Sequence, residues 1–164
     1  MLDYIRIAWN YNFWAAARFL EAAEALSGEE FVRDLGAGVG SVRDKLAHIC
    51  GADEVWMARI DGAAAKMPAH DEFADAGQLR QRQQAVHNRY RALLDTATPE
   101  SLSVGVRYVN LKGAEFITPL DQILMHVANH GTYHRGQAAS LLRRLTGAPP
   151  VTDLIEYFRG QPRP

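Results

Sequence analysis

An all-α four-helix bundle is the fold this chain predicts, on three observations. Apolar residues recur at three- and four-residue spacing through four long stretches. Gly, Pro and capping residues punctuate the sequence between those stretches. Only one short segment alternates as a strand does.

The first stripe is Ile5, Trp9, Phe13, Ala16, Phe19, Leu20, Ala23, Leu26, predicted to stop near Ser27-Gly28. Residues 28–40 read as a linker ending in Gly36-x-Gly-x-Gly40. A flexible connection is the better reading of those glycines. A phosphate loop would want a preceding strand and a following Lys-Ser/Thr, and neither is present. Ser41 with Asp44 three residues on forms a variant of the capping box and should open the second helix. Its stripe, Val42, Leu46, Ile49, Trp56, Ile60, closes at Asp61-Gly62. Residues 62–74, with Pro68, read as a connection. The third helix is expected from Asp75 to Thr96, with Leu79, Gln83, Val86, Tyr90, Leu93 and Leu94 inward. Arg80, Arg82, Arg89 and Arg91 read as its solvated face. After Pro99, Val104, Val106 and Tyr108 pair in expectation with Phe116-Ile117 as a small β-hairpin or extended loop before helix 4. Thr118 is expected as N-cap and Pro119 in the first turn of that helix. The helix runs through Leu120, Ile123, Leu124, Val127, Ala138, Leu141, Leu142 and Leu145 to Thr146-Gly147. Residues 151–158 add one or two helical turns before a Pro-rich tail. The connection between helices 2 and 3 exceeds the usual loop between antiparallel neighbours and allows a crossover.

The 164 residues, 48% of them apolar, suit one domain spanning 1–164. Eighteen basic against 19 acidic residues give a net charge of −1, which argues against nucleic acid and anionic membrane surfaces as partners. One cysteine, Cys50, permits no internal disulfide and reads as a small core residue, pointing to a reducing, cytoplasmic setting. Neither a signal peptide nor a membrane span is apparent.

Chemistry concentrates in the histidines. His126, His130 and His134 recur every four residues, so they stack along one helix face. The apolar stripe from Val127 to Ala138 passes through His130 and His134, which aims both imidazoles into the bundle. Buried neutral imidazoles need partners for their ring nitrogens, and a divalent ion with a third ligand from another helix supplies one. His48, on the edge of the second stripe, is the candidate. Core histidines bonded to polar neighbours fit the spacing equally well, and His48 taken alone reads as structural. His126 reads as a packed or supporting group rather than a fourth ligand. An all-imidazole set leaves coordination positions open and the ion's charge uncompensated, favouring an anionic ligand there.

Three elements in order then resemble the DinB/YfiT-like metalloproteins, a family unrelated to the DNA polymerase of similar name. Asn129-His130-Gly131-Thr132-Tyr133-His134-Arg135-Gly136-Gln137 is similar to the family's NHxxxHRGQ hallmark. Ser41 to Trp56, with Leu46-Ala47-His48-Ile49, resembles its second-helix segment, and Tyr11-Asn12-Phe13-Trp14 its first-helix YNxW element. The resemblance implies an up-down-down-up bundle with the crossover between helices 2 and 3. It also implies a divalent metal on His48, His130 and His134: zinc or nickel first, iron or manganese after. Several such proteins are thiol transferases using bacillithiol, mycothiol or glutathione. Others are damage- or stress-induced proteins without a known reaction, and many form homodimers.

Asn12, His126 and Gln137 are the candidates to orient a ligand histidine from behind, Gln137 by a bond across the bundle. A buried amide serving the backbone is the equal alternative for Asn12. Arg135 is expected outside the stripe, ion-paired; Gly136 at a close helix contact; Asp44 as a cap; Tyr133 and Trp56 as core or interface aromatics. The chemistry expected is a metal-bound thiol delivered as thiolate to an electrophile, with metal-activated water as the hydrolytic variant. A non-catalytic metal-binding stress protein is the alternative.

Overall fold

Each long amphipathic stretch becomes a helix in the computed structural model, which describes residues 1–36, 40–64 and 66–161. The chain runs α1 (Leu2–Glu24), α2 (Gly28–Val32), α3 (Val42–Ile60), a 3-10 turn (His70–Glu72), α4 (Ala76–Thr96), α5 (Pro99–Leu102), β1 (Gly105–Val109), β2 (Glu115–Pro119), α6 (Leu120–Thr146) and α7 (Leu154–Arg159). The four long helices bury their stripes on one another, α1 and α3 each packing against both α4 and α6.

Local chemistry explains most boundaries. Ser41 Oγ accepts from the Asp44 N–H (3.1 Å) while Asp44 Oδ2 accepts from the Ser41 N–H (3.0 Å), the reciprocal box that opens α3. Asp75 caps α4 by accepting from Gln78 N–H at 2.8 Å. Gly147, at φ 83°, ends α6 in the left-handed conformation that glycine adopts without a Cβ clash. β1 and β2 form an antiparallel hairpin with Val106 opposite Thr118 and Tyr108 opposite Phe116.

Four expectations require correction. Residues 28–32 form a helical turn instead of a linker, because Ser27 and Glu30 make a capping box of their own. Pro99 opens α5, where Thr98 caps and proline needs no N–H partner. Thr118 belongs to β2, so Pro119 is the N-cap of α6, and Leu120 N–H donates to Val104 O at 3.0 Å, joining strand directly to helix. The four basic residues of α4 are more than a solvated face. Arg80 pairs with Glu24, Arg82 with Glu54 and Arg89 with Asp61, stitching α4 to α1 and α3. The Gly36-x-Gly-x-Gly40 motif and the Pro-rich tail fall largely outside the described residues.

The core has two apolar halves. One gathers Phe19, Leu46, Leu79 and Leu141; the other Trp9, Met57, Tyr90 and Leu124. At the boundary every long helix contributes buried polar side chains: Asn12, Asp53, Gln83 with His87, and Arg135. Gln83 Nε2 bridges Asp53 Oδ2 and His87 Nε2, each at 2.7 Å. Arg135 Nη1 donates to Asn12 Oδ1 at 2.5 Å.

Replacing Ser41 by Ala removes the acceptor for the Asp44 N–H at the start of α3. The expected loss is about 1 kcal/mol of stability, read as a lower urea midpoint with unchanged slope.

Candidate metal centre

The site is made by the face-to-face packing of α3 and α6. His130 and His134 are one turn apart on α6, and His48 meets them from α3. Ring centroids lie 4.3 Å apart for His130 and His134, 4.4 Å for His48 and His134, and 5.1 Å for His48 and His130. One ligand nitrogen from each lies within 4.8 Å of the others, an arrangement able to hold a metal ion. All three rings are half-buried, and no carboxylate among the described residues joins the group.

The surroundings fit a cation on two further counts. His130 Nδ1 is buried with no hydrogen-bond partner among the described residues, although buried ring nitrogens ordinarily have one. His134 Nδ1 lies 2.9 Å from Gln137 Oε1, so this nitrogen carries the proton and Nε2 keeps its lone pair for an ion. Burial, then the neighbouring imidazoles, push the His130 pKa down to about 4. His48 is lowered for the same reasons, burial first. Both rings are therefore neutral and ready to coordinate at pH 7.

Gln137 thus acts within its own helix, three residues from His134, rather than across the bundle. His126 stands outside the trio, its ring 5.9 Å from that of His130 and edge-on to Trp56 at 5.3 Å. Asn12 is buried, but its hydrogen bond goes to Arg135, and no hydrogen bond among the described residues links it to the trio. Arg135 itself corrects an expectation: it is buried, not ion-paired on the outside, and donates also to Thr132 Oγ1 at 3.0 Å. The close glycine is Gly131, not Gly136. A Cβ at Gly131 would lie 2.8 Å from Asn12 Oδ1 and 2.9 Å from Arg135 Nη1, whereas at Gly136 it would meet nothing within 4 Å. Tyr133 is largely exposed rather than in the core, and Trp56 packs between Tyr108 and His126. Asp44 caps α3 as expected, and Cys50 is a buried core residue.

Two features were missed. His70, on the 3-10 turn, lies 6.5 Å from the His48 ring with Asp44 Oδ1 3.6 Å from its Nδ1. It borders the trio from a segment without periodicity, so no pattern pointed to it. The turn is brought there by Met67 and Pro68, which pack on Gly51 where any side chain would collide. The Asp53–Gln83–His87 group was the second, although its signal was present: Gln83 occupies a stripe position and His87 follows one turn later.

Comparison with known proteins agrees with this architecture. The model of the DinB family matches residues 1–163. Protein DinB of Bacillus subtilis (strain 168) is 26% identical over 168 residues, covering 96% of this chain and 95% of that protein. A crystal structure of a conserved protein from Enterococcus faecalis superposes with a TM-score of 0.68 at 15% identity, over 87% of this chain and 96% of the other; that likeness concerns the fold alone.

Two outcomes are expected. Gly131→Ala forces Asn12 and Arg135 apart and should cost about 1–3 kcal/mol in denaturant unfolding. In chelator-stripped protein the unfolded chain takes up a proton at the His130 position near pH 6.5, the folded chain only near 4. Stability should therefore fall as pH drops through that window and level off below it, and His130→Phe should flatten the curve.

Proposed function

The chain belongs to the DinB family, and from that premise we propose that it is a divalent-metal protein acting as a transferase of low-molecular-weight thiols, with His48, His130 and His134 holding the ion. The convergence of three imidazoles from two helices, with no carboxylate in the group among the described residues, carries this reading. Such a donor set suits zinc or nickel first, iron or manganese next. Three ligands leave a coordination position open, and their neutrality makes an anion the preferred occupant. A cation held there supplies Lewis acidity that lowers the pKa of a thiol to give a thiolate at neutral pH.

The chain's own residues support that role. Gln137 fixes the tautomer and ring plane of His134. His70 and His126 flank the trio on either side as imidazoles able to accept or return a proton. Cys50 is unsuited to act as a nucleophile, because burial pushes its pKa up and keeps it a thiol. The attacking sulfur must then come from a cosubstrate.

Two further parts of the reading concern architecture. An up-down-down-up run of the four long helices belongs to this reading, supported by Glu54 and Asp61 of α3 meeting Arg82 and Arg89 of α4 in parallel order, by His48 and Trp56 meeting His134 and His126 in reverse, and by Arg6 and Glu24 of α1 meeting Leu94 and Arg80 of α4 in reverse. A homodimer fits the apolar groove that Tyr4, Ile7, Met125, Leu154 and Phe158 line between α1, α6 and α7. No helix among the described residues is long and apolar enough to cross a membrane.

Elemental analysis of protein purified without metal-chelating resin should find about one ion per chain, and near none in His130→Ala or His134→Ala. Gln137→Leu should weaken metal binding roughly 10–100-fold. A panel of small thiols with a haloaromatic electrophile should show thioether formation that needs both metal and thiol. Ester hydrolysis without thiol would replace this reading by the hydrolytic one. Stoichiometric metal with no turnover in either assay would leave a non-catalytic metal protein.

A further inference from the structure

Arg59, on the last turn of α3, is held in surroundings that a structural arginine seldom has. It is only 7% exposed, and its Nε is buried without a hydrogen-bond partner among the described residues. No acidic side chain among those residues forms an ion pair with it. Its guanidinium lies instead against two aromatic rings, with Cζ 4.5 Å from the centre of Trp56 and 5.1 Å from that of Tyr108. Rings take the faces of a guanidinium; the N–H groups lie in its plane and remain to be bonded. A buried charge without its anion is costly, so this arrangement asks for a ligand.

The same side chain lines a cleft of about 450 Å³ between the end of α3 and the hairpin, with Ala63, Arg107, Tyr108, Asn110 and Glu115. That is within the size range of small-molecule sites. Arg107 and Glu115 face each other at 3.7 Å and largely cancel, which leaves one unmatched positive charge, that of Arg59. The Asn110 side chain is occupied by the backbone N–H groups of Lys112 and Ala114.

We propose that this cleft binds a small carboxylic acid, its carboxylate seated on the free edge of the Arg59 guanidinium and its body against Tyr108. A single planar guanidinium matches one carboxylate in shape and charge. A phosphate dianion would want a second unmatched positive charge, and Arg107, the other cation lining the cleft, already faces Glu115. Trp56 stands between Arg59 and His126, so a bound acid would lie on the side of α3 that leads back to the trio. His48 and Arg59 are eleven residues apart, about 16 Å of helix rise. Binding at the cleft is independent of the thiol-transfer reading.

Benzoate titrated into the full-length protein is the test, followed through the indole N–H NMR signal of Trp56, assigned with Trp56→Phe. A saturable shift is expected, matched by neither benzyl alcohol nor inorganic phosphate. Arg59→Met should weaken binding at least about tenfold, Arg59→Lys should keep part of it, and Arg107→Gln most of it. Should Arg59→Met fail to fold, Arg59→Lys and the benzyl alcohol comparison decide. Equal binding of the alcohol, tighter binding of phosphate, indifference to Arg59 or no saturation would each overturn the proposal. Repeating the titration on chelator-stripped protein separates the two readings. Persistence there is expected, whereas binding lost with the metal would overturn the cleft and leave the metal reading intact.

Discussion

The packing of α3 against α6 is the constraint from which the rest follows. It makes one core out of two stripes and, at one level, puts His48 against His130 and His134. The energetic tension lies in that coincidence. Burial, more than the neighbouring imidazoles, disfavours the charged form of His48 and His130 and keeps both rings neutral. A bundle held purely by apolar contacts would place leucines at these positions. The cost of keeping imidazoles there would be offset if their lone pairs shared a cation, which their spacing allows.

The polar residues at the boundary between the two core halves serve that geometry from a distance. Asp53 on α3 is tied through Gln83 to α4, and Tyr90 of α4 donates to the Asp53 backbone carbonyl at 3.0 Å. Arg135 on α6 is tied to Asn12 on α1, with Gly131 leaving the room that this bond requires. Each bond joins one helix of the histidine pair to one of the other two long helices. Apolar stripes can slide by a turn with modest loss, but buried polar partners cannot part without desolvation left unrepaid. These bonds therefore fix the axial register of α3 and α6, and with it the height at which the three imidazoles meet.

Beyond the trio, polar and aromatic contacts line up along a single face of α3. Asp44 caps the helix and backs His70, His48 faces α6, Trp56 supports His126, and Arg59 closes the row at the hairpin. The β1–β2 hairpin adds Tyr108 to this row and then feeds straight into α6 through Pro119. A small β element in a helical protein thus forms one wall of a cleft and sets the start of the helix that carries His126, His130 and His134.

What the sequence determined by itself was whatever depends on residues near one another in the chain. Helical periods, the Ser41–Asp44 box, the Asp75 cap, the Gly147 stop and the pairing of His130 with His134 at four-residue spacing all follow from the geometry of one turn. His48 stood as the candidate third ligand from its place on the edge of the second stripe, and the resemblance of three short motifs put it in the same group. Tertiary structure decided the rest. Arg135 looked like a surface cation because its place beside the stripe says nothing of Asn12, 123 residues away in sequence. His70 lay in an unpatterned connection whose path is set by contact of Met67 and Pro68 with Gly51. Arg59 could be identified as a buried, unmatched charge only once the hairpin had folded over it. Local sequence encodes which face of a helix turns inward; which charges meet, and which are left without a partner, depends on chain segments that come together only in space.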